Sequence, residues 1–208
     1  MYYDLSYNAV EKLELKSGKA LVVVAHPDDE TIWMGGTILG HPQIKWTIFS
    51  LCRASDPDRA PKFRKVCQYY GARAIITDLE DENVMSIRES IPKIQKILKL
   101  KSGKKKFDYI FTHGRNGEYG HPRHIGVNSA VRGLAFKGEL PAKHIFTFGY
   151  LIPRKSKIPT PAQRAEFSIG LSQKIFKQKG NIIEKIYGFS EASFEYRSAA
   201  ALETFYTL

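Results

Sequence analysis

The segment ALVVVA at residues 20–25 constrains the fold of this chain more than any other. It is short, apolar and β-branched, with Gly18 and Lys19 before it and His26-Pro27 after it. A continuous apolar run of that length suits a strand buried on both faces, the position of a strand inside a parallel sheet. Parallel strands need crossover helices. Helical patterns are predicted over 29–39, 60–70, 86–100 and 123–136, with strand patterns between them over 46–51, 73–77, 107–112 and 144–148. Pro61 suits a first helical turn, and Ser86 with Glu89 three residues on predicts a capping box. The alternation predicts a doubly wound α/β sheet with helices on both faces. Residues 153–161 read as loop, 162–179 as helix and 191–206 as a closing helix. A length of 208 residues without internal repeats is read as one domain over 1–208.

Composition narrows the partners. The formal net charge is +11, which admits nucleic acid, an anionic membrane, an acidic substrate or simply a basic surface. The densest basic run, KIQKILKLKSGKKK at 93–106, begins with helical spacing and ends as a helix terminus and loop. No Arg-Gly repeat, finger pattern or aromatic-rich binding motif accompanies it, so no nucleic-acid partner is expected. There is no run of 18 apolar residues, and the first twenty residues lack an apolar leader core, so neither a transmembrane segment nor a signal peptide is expected. Peripheral membrane contact stays open. Cys52 and Cys67 make no C-x-x-C pattern, and a reducing, cytoplasmic location is the simpler reading.

Two polar constellations follow strand ends. The first is His26, Asp28 and Asp29, directly after ALVVVA. Ligands of open α/β sheets bind beyond the carboxyl ends of strands, and imidazole and carboxylate are ordinary zinc ligands. Of two adjacent carboxylates, one can hold a metal while the other takes a proton from water. The competing account is a helix cap by Asp28 or Asp29. It leaves unexplained why three ligand-type side chains follow so apolar a strand.

The second is HGRNGEYGHPRH at 113–124, after the strand at 107–112, with three of the six histidines. His121 and His124 are three apart, with Pro122 suited to a first helical turn, so both rings can face one cavity. His26, Asp29 and one of these two histidines would complete a three-ligand zinc site, leaving the other to stabilise an oxyanion and protonate a leaving amine. Asn116 and Glu118 are candidates to contact a polar substrate. His113 reads equally as a structural loop histidine.

AHPDDE at 25–30 together with GHPRH at 120–124 closely resembles the PIG-L/LmbE-like family of zinc-dependent N-deacetylases. The resemblance implies a Rossmann-like three-layer sandwich with a mostly parallel central sheet. It implies Zn2+, or another divalent ion, held by His26, Asp29 and His124. It implies Asp28 as the general base and His121 as the group that steadies the tetrahedral intermediate and assists amine departure. The expected substrate is a small N-acetylated sugar of the N-acetylglucosamine type, or a conjugate of one. In this family an Asp often stands between the two histidines, where this chain has Arg123. An Arg cannot accept the same hydrogen bond, so His121 is tuned by another residue, or activity is weaker, or Arg123 faces an anionic substrate group. Members place substrate contacts after the next strand, which nominates Arg53, Asp56 and Arg59. The alternatives kept are a hydrolase of another small N-acyl compound, a non-catalytic sugar binder and a basic nucleic-acid-binding protein. A homo-oligomer is compatible with all of them.

Overall fold

The computed structural model describes residues 10–82, 84–103 and 105–208. The segment before residue 10, part of the stretch read for a leader, lies outside them. Strand β1 is Glu11–Lys12 and β2 is Gly18–Val24, followed by α1 (Asp29–Gly40), β3 (Ile44–Ser50), α2 (Arg59–Tyr69), β4 (Arg73–Ile76), α3 (Ile87–Ser102) and β5 (Phe107–Thr112). A short turn of helix, α4 (Gly117–Gly120), leads into α5 (Pro122–Phe136) and β6 (Ala142–Phe148). The remainder is β7 (Tyr150–Leu151), β8 (Thr160–Pro161), β9 (Phe167–Gly170), α6 (Gln173–Asn181) with a π-helical continuation over Ile182–Tyr187, α7 (Phe194–Ser198) and β10 (Leu202–Thr207).

The large sheet has the order β1-β9-β10-β6-β5-β2-β3-β4. The five strands from β6 to β4 are mutually parallel, and β10 pairs antiparallel with β6 and β9. Chain order among those five reverses between β2 and β5, which makes their carboxyl ends the topological switch point. Side chains alternate across a strand, and β2 feeds two cores. Ala20, Val22 and Val24 pack with Ile32, Trp33 and Ile38 of α1 and Phe63 of α2. Leu21, Val23 and Ala25 pack with Ile94 and Leu98 of α3 and Val127 and Leu134 of α5. The architecture is the expected three-layer sandwich, and the Ser86–Glu89 capping box is present.

The final third departs from the helical reading. Within 162–179 only the end is helical, because Phe167–Gly170 pairs with β1 and β10. Within 191–206 the helix is confined to Phe194–Ser198, and LETFYT at 202–207 enters the sheet between β6 and β9. Its Thr, Phe and Tyr favour a pleated, half-buried setting.

Helix α1 is interrupted at Met34, whose φ is −149°. The backbone groups released there find other partners, as buried groups must. Tyr150 Oη donates to Trp33 O at 2.9 Å, while the Glu203 carboxylate accepts from Gly36 N at 2.9 Å and Thr37 N at 2.7 Å. Glu203 also pairs with Lys179 at 2.7 Å, and both side chains are fully buried. No helix of the described residues is long and apolar enough to cross a membrane.

Candidate metal centre

At the switch point, the loop after β2 brings His26, Asp28 and Asp29 against the residues that follow β5. Three donor atoms face one another. His26 Nδ1 lies 3.2 Å from Asp29 Oδ2 and 3.2 Å from His124 Nε2, and His124 Nε2 lies 3.3 Å from Asp29 Oδ2. Ligands about 2.0–2.2 Å from a tetrahedral zinc ion stand about 3.3–3.6 Å from each other. The triangle and its two-imidazole, one-carboxylate chemistry therefore fit such an ion.

Each imidazole is held from behind. His26 Nε2 is 2.9 Å from Asp81 Oδ1, and His124 Nδ1 is 2.7 Å from Glu118 Oε2. Asp29 keeps its other oxygen on Trp33 Nε1, which donates at 3.0 Å, and accepts from His26 N at 2.8 Å. Carboxylates behind metal-binding histidines fix the ring and its tautomer. His113 is buried one layer deeper, its ring stacked on that of His124 with centroids 3.8 Å apart. Its Nε2 accepts from Ala25 N at 2.9 Å, and its Nδ1 is 2.8 Å from Glu118 Oε2. It thereby ties the end of β2 to the loop after β5.

The electrostatics follow from burial and crowding. Burial raises the Asp29 pKa, but His124 and His113 outweigh it and hold the carboxyl well below its ordinary range. Burial, reinforced by the Asp29 charge, pushes Asp28 well up, with Arg59 opposing. Glu118 is lowered to about 2: burial works against this, but the imidazoles of His113 and His124 beside it, through their hydrogen bonds, prevail. Burial and the charges of His124 and His26 lower His121 to about 4. Arg123 N donates to His121 Nδ1 at 3.2 Å, so the neutral ring carries its proton on Nε2.

Asp28 occupies the position before α1, but its side chain makes no cap; its carboxylate accepts from Arg59 Nη1 at 2.7 Å instead. Its φ is 122°, a left-handed value that is strained for a residue with a Cβ. Arg53 at 72° and Glu118 at 58° share that property. Of the four such non-glycine residues among those described, three are therefore at this site.

A cavity of about 390 Å³ opens over two corners of the triangle, His26 and Asp29, while His124 is fully buried. His26, Asp28, Asp29 and His121 line it, as do Arg53, Asp56 and Arg59. Three other residues expected at the substrate surface lie elsewhere. Glu118 is buried beneath the histidines, with Gly114 N donating to it. Asn116 turns away to donate to Tyr150 O at 2.8 Å. Arg123 is buried behind His121, where its Nη2 donates to Glu80 at 3.2 Å and to Met85 O at 3.3 Å, and it is not part of the cavity lining. Asp81, Tyr119 and Phe194 line the cavity without having been singled out in the sequence. Asp81 follows the β4 strand end, and the rule that nominated His26 there would have found it.

Comparison with known proteins bears on the family and the fold. The family model described as PIG-L, GlcNAc-PI de-N-acetylase, matches residues 21–135. N-acetylglucosaminyl-phosphatidylinositol de-N-acetylase of Bos taurus is 26% identical over 133 residues, covering 59% of this chain and 53% of the relative. The chain thus spans about half the length of that curated relative. Among solved structures, N,N'-diacetylchitobiose deacetylase from Pyrococcus horikoshii aligns with TM-score 0.62 and 16% identity, covering 91% of this chain and 83% of that one. The 4-carboxy-2-hydroxymuconate hydratase GalB from Pseudomonas putida aligns with TM-score 0.64 and 14% identity, covering 91% and 95%. At these identities the two structures share the fold, which here hosts more than one chemistry.

Proposed function

This chain belongs to the PIG-L family, and from that premise we propose that it is a metal-dependent N-deacetylase. The reaction is hydrolysis of an acetamide on an N-acetylglucosamine-type sugar or conjugate, giving acetate and a free amine. The observation that carries this reading is the donor triangle of His26, Asp29 and buried His124, two of whose corners, His26 and Asp29, line a cavity that also presents Asp28 and His121.

His26, Asp29 and His124 would hold the ion, Zn2+ or another divalent metal. When bound there, it supplies Lewis-acid polarisation of a carbonyl and a lowered pKa of water. Asp28 takes the proton from the attacking water. Its carboxylate is placed for this by the strained backbone and by Arg59, whose positive charge opposes the upward pull of burial and Asp29, as a bound cation would too. His121 donates from Nε2 to the oxygen that gains charge as the water oxygen bonds to the acetyl carbon. The carbon–nitrogen bond then breaks, and the departing nitrogen takes the proton that Asp28 removed. Arg53, Asp56 and Arg59 line the outer cavity, where polar groups of a sugar or its carrier are read.

The test is acetate release by metal-loaded protein from N-acetylglucosamine, its phosphatidylinositol and thiol-precursor conjugates, and chitin oligosaccharides. Release from one or more is expected. Asp28→Asn is expected to keep its metal and lose nearly all turnover, whereas His124→Ala loses metal by elemental analysis. Full turnover in Asp28→Asn, or unchanged metal in His124→Ala, removes that residue from its role.

A further inference from the structure

The segment LIPRKSKIPTPAQR at 151–164 takes no part in the proposed chemistry, lies outside the residues matched by the family model, and carries four basic and no acidic residues. It forms most of a hairpin in which β7 pairs antiparallel with β8. The hairpin leaves the sheet just after the carboxyl end of β6, on the edge where the candidate metal centre lies. Its base is fixed by buried Tyr150, which bonds Trp33 O and Asn116 Nδ2.

Beyond that base the apolar residues point outward. Leu151 is 51% exposed and Ile152 is 42% exposed, with Pro153 also exposed. Arg154, Lys155 and Lys157 follow directly and are exposed too. Beside the hairpin, Leu151 shares a cavity of about 370 Å³ with Arg115, Arg132, Thr147 and Tyr206. Among the described residues, none of Arg115, Arg132, Arg154, Lys155 and Lys157 makes an ion pair. The one carboxylate in the cavity wall, Glu166, is taken up by the N–H and hydroxyl of Thr207.

We propose that this hairpin, with Arg115 and Arg132 beside it, is a docking surface for the anionic headgroups of a lipid membrane. Exposed aliphatic side chains flanked by unpaired cations match a bilayer interface, where apolar groups enter the acyl boundary and cations meet lipid phosphates. A nucleic-acid surface would instead present base-stacking aromatics, and Leu151, Ile152 and Pro153 are not such groups. The surface is independent of the hydrolase reading. Docking through it would bring the rim of the catalytic cavity to the membrane.

The test is co-sedimentation of the full chain with phosphatidylcholine vesicles, with and without phosphatidylserine. Binding only to the serine-containing vesicles is expected, with loss when salt is raised to about 0.5 M. Leu151→Ser with Ile152→Ser, and separately Lys155→Glu with Lys157→Glu, should each weaken it about tenfold. Lys96→Glu with Lys101→Glu, in the other basic run, should leave it unchanged. Hydrogen exchange over 151–158 of the unaltered protein should slow on vesicle addition, a readout that does not depend on any variant folding. No binding to the anionic vesicles, no protection of the hairpin, an equal loss from the α3 variant, or tighter retention on a single-stranded oligonucleotide would each overturn the proposal.

Discussion

Glu118 Oε2 lies 2.7 Å from His124 Nδ1, so the proton on that side of the imidazole is shared with a buried carboxylate and Nε2 is left to face Asp29. The same oxygen serves His113 at 2.8 Å. If the triangle holds a metal, Glu118 sets the tautomer and basicity of one of its ligands without touching it. Glu118→Gln is therefore expected to weaken metal affinity by about 10–100-fold. Chelator competition reads this directly, and an unchanged affinity would mean that the stacked His113 ring orients His124 unaided.

The expectation that Glu118 contacts substrate shows where sequence ran out. The strand-end rule placed His26 and Asp29 near His121 and His124 because it depends only on the order of apolar runs, and only the family resemblance chose His124 as the ligand. Whether Glu118 faces the cavity or the core depends on the turn at Gly117 and Glu118, with φ of 62° and 58°, and no periodicity encodes that. Arg123 shows the same limit: Pro122 starts α5 as expected, but the helix face on which Arg123 falls is set by packing against Met85 and Glu80. In the fold, strands buried on both faces announced themselves as apolar runs. β9 and β10 did not, because their state is decided by the neighbours they pair with rather than by their own pattern.

The backbone of Asp28 invites a second test. Its φ of 122° costs about 1–3 kcal/mol for a residue with a Cβ, and burial adds a penalty on its charge. Glycine adopts that conformation without strain. Asp28→Gly should raise unfolding stability by about 1 kcal/mol in urea titration while abolishing acetate release. A destabilised variant would show that the Arg59 contact outweighs the strain.

Arg123 offers a third. It is buried, yet its Nε and Nη1 have no partner, and only Nη2 is bonded. Unsatisfied buried donors cost about 1–3 kcal/mol each, and Glu80, whose side chain is 31% exposed, stays solvated when Arg123 is replaced, so no buried charge is stranded. Arg123→Met should therefore leave the protein as stable or more stable by about 1 kcal/mol. Its hydrogen bond to His121 is made by the backbone and survives the change. A loss of more than about 2 kcal/mol would instead indicate that ordered water satisfies the guanidinium.

The interrupted helix α1 makes the last prediction. Its Gly36 and Thr37 amides are released by the break at Met34, and the Glu203 carboxylate accepts both while pairing with buried Lys179. Removing one charge of a buried pair strands the other, at a cost of about 3–5 kcal/mol. Glu203→Gln is expected to lose stability on that scale in urea unfolding. Asp29 sits at the opposite end of α1, held by His26 N and by Trp33 Nε1. While the variant remains folded, its metal affinity should therefore stay close to that of the parent. Loss of metal in parallel with stability would mean that the break at Met34, and not those two local bonds, sets the position of Asp29.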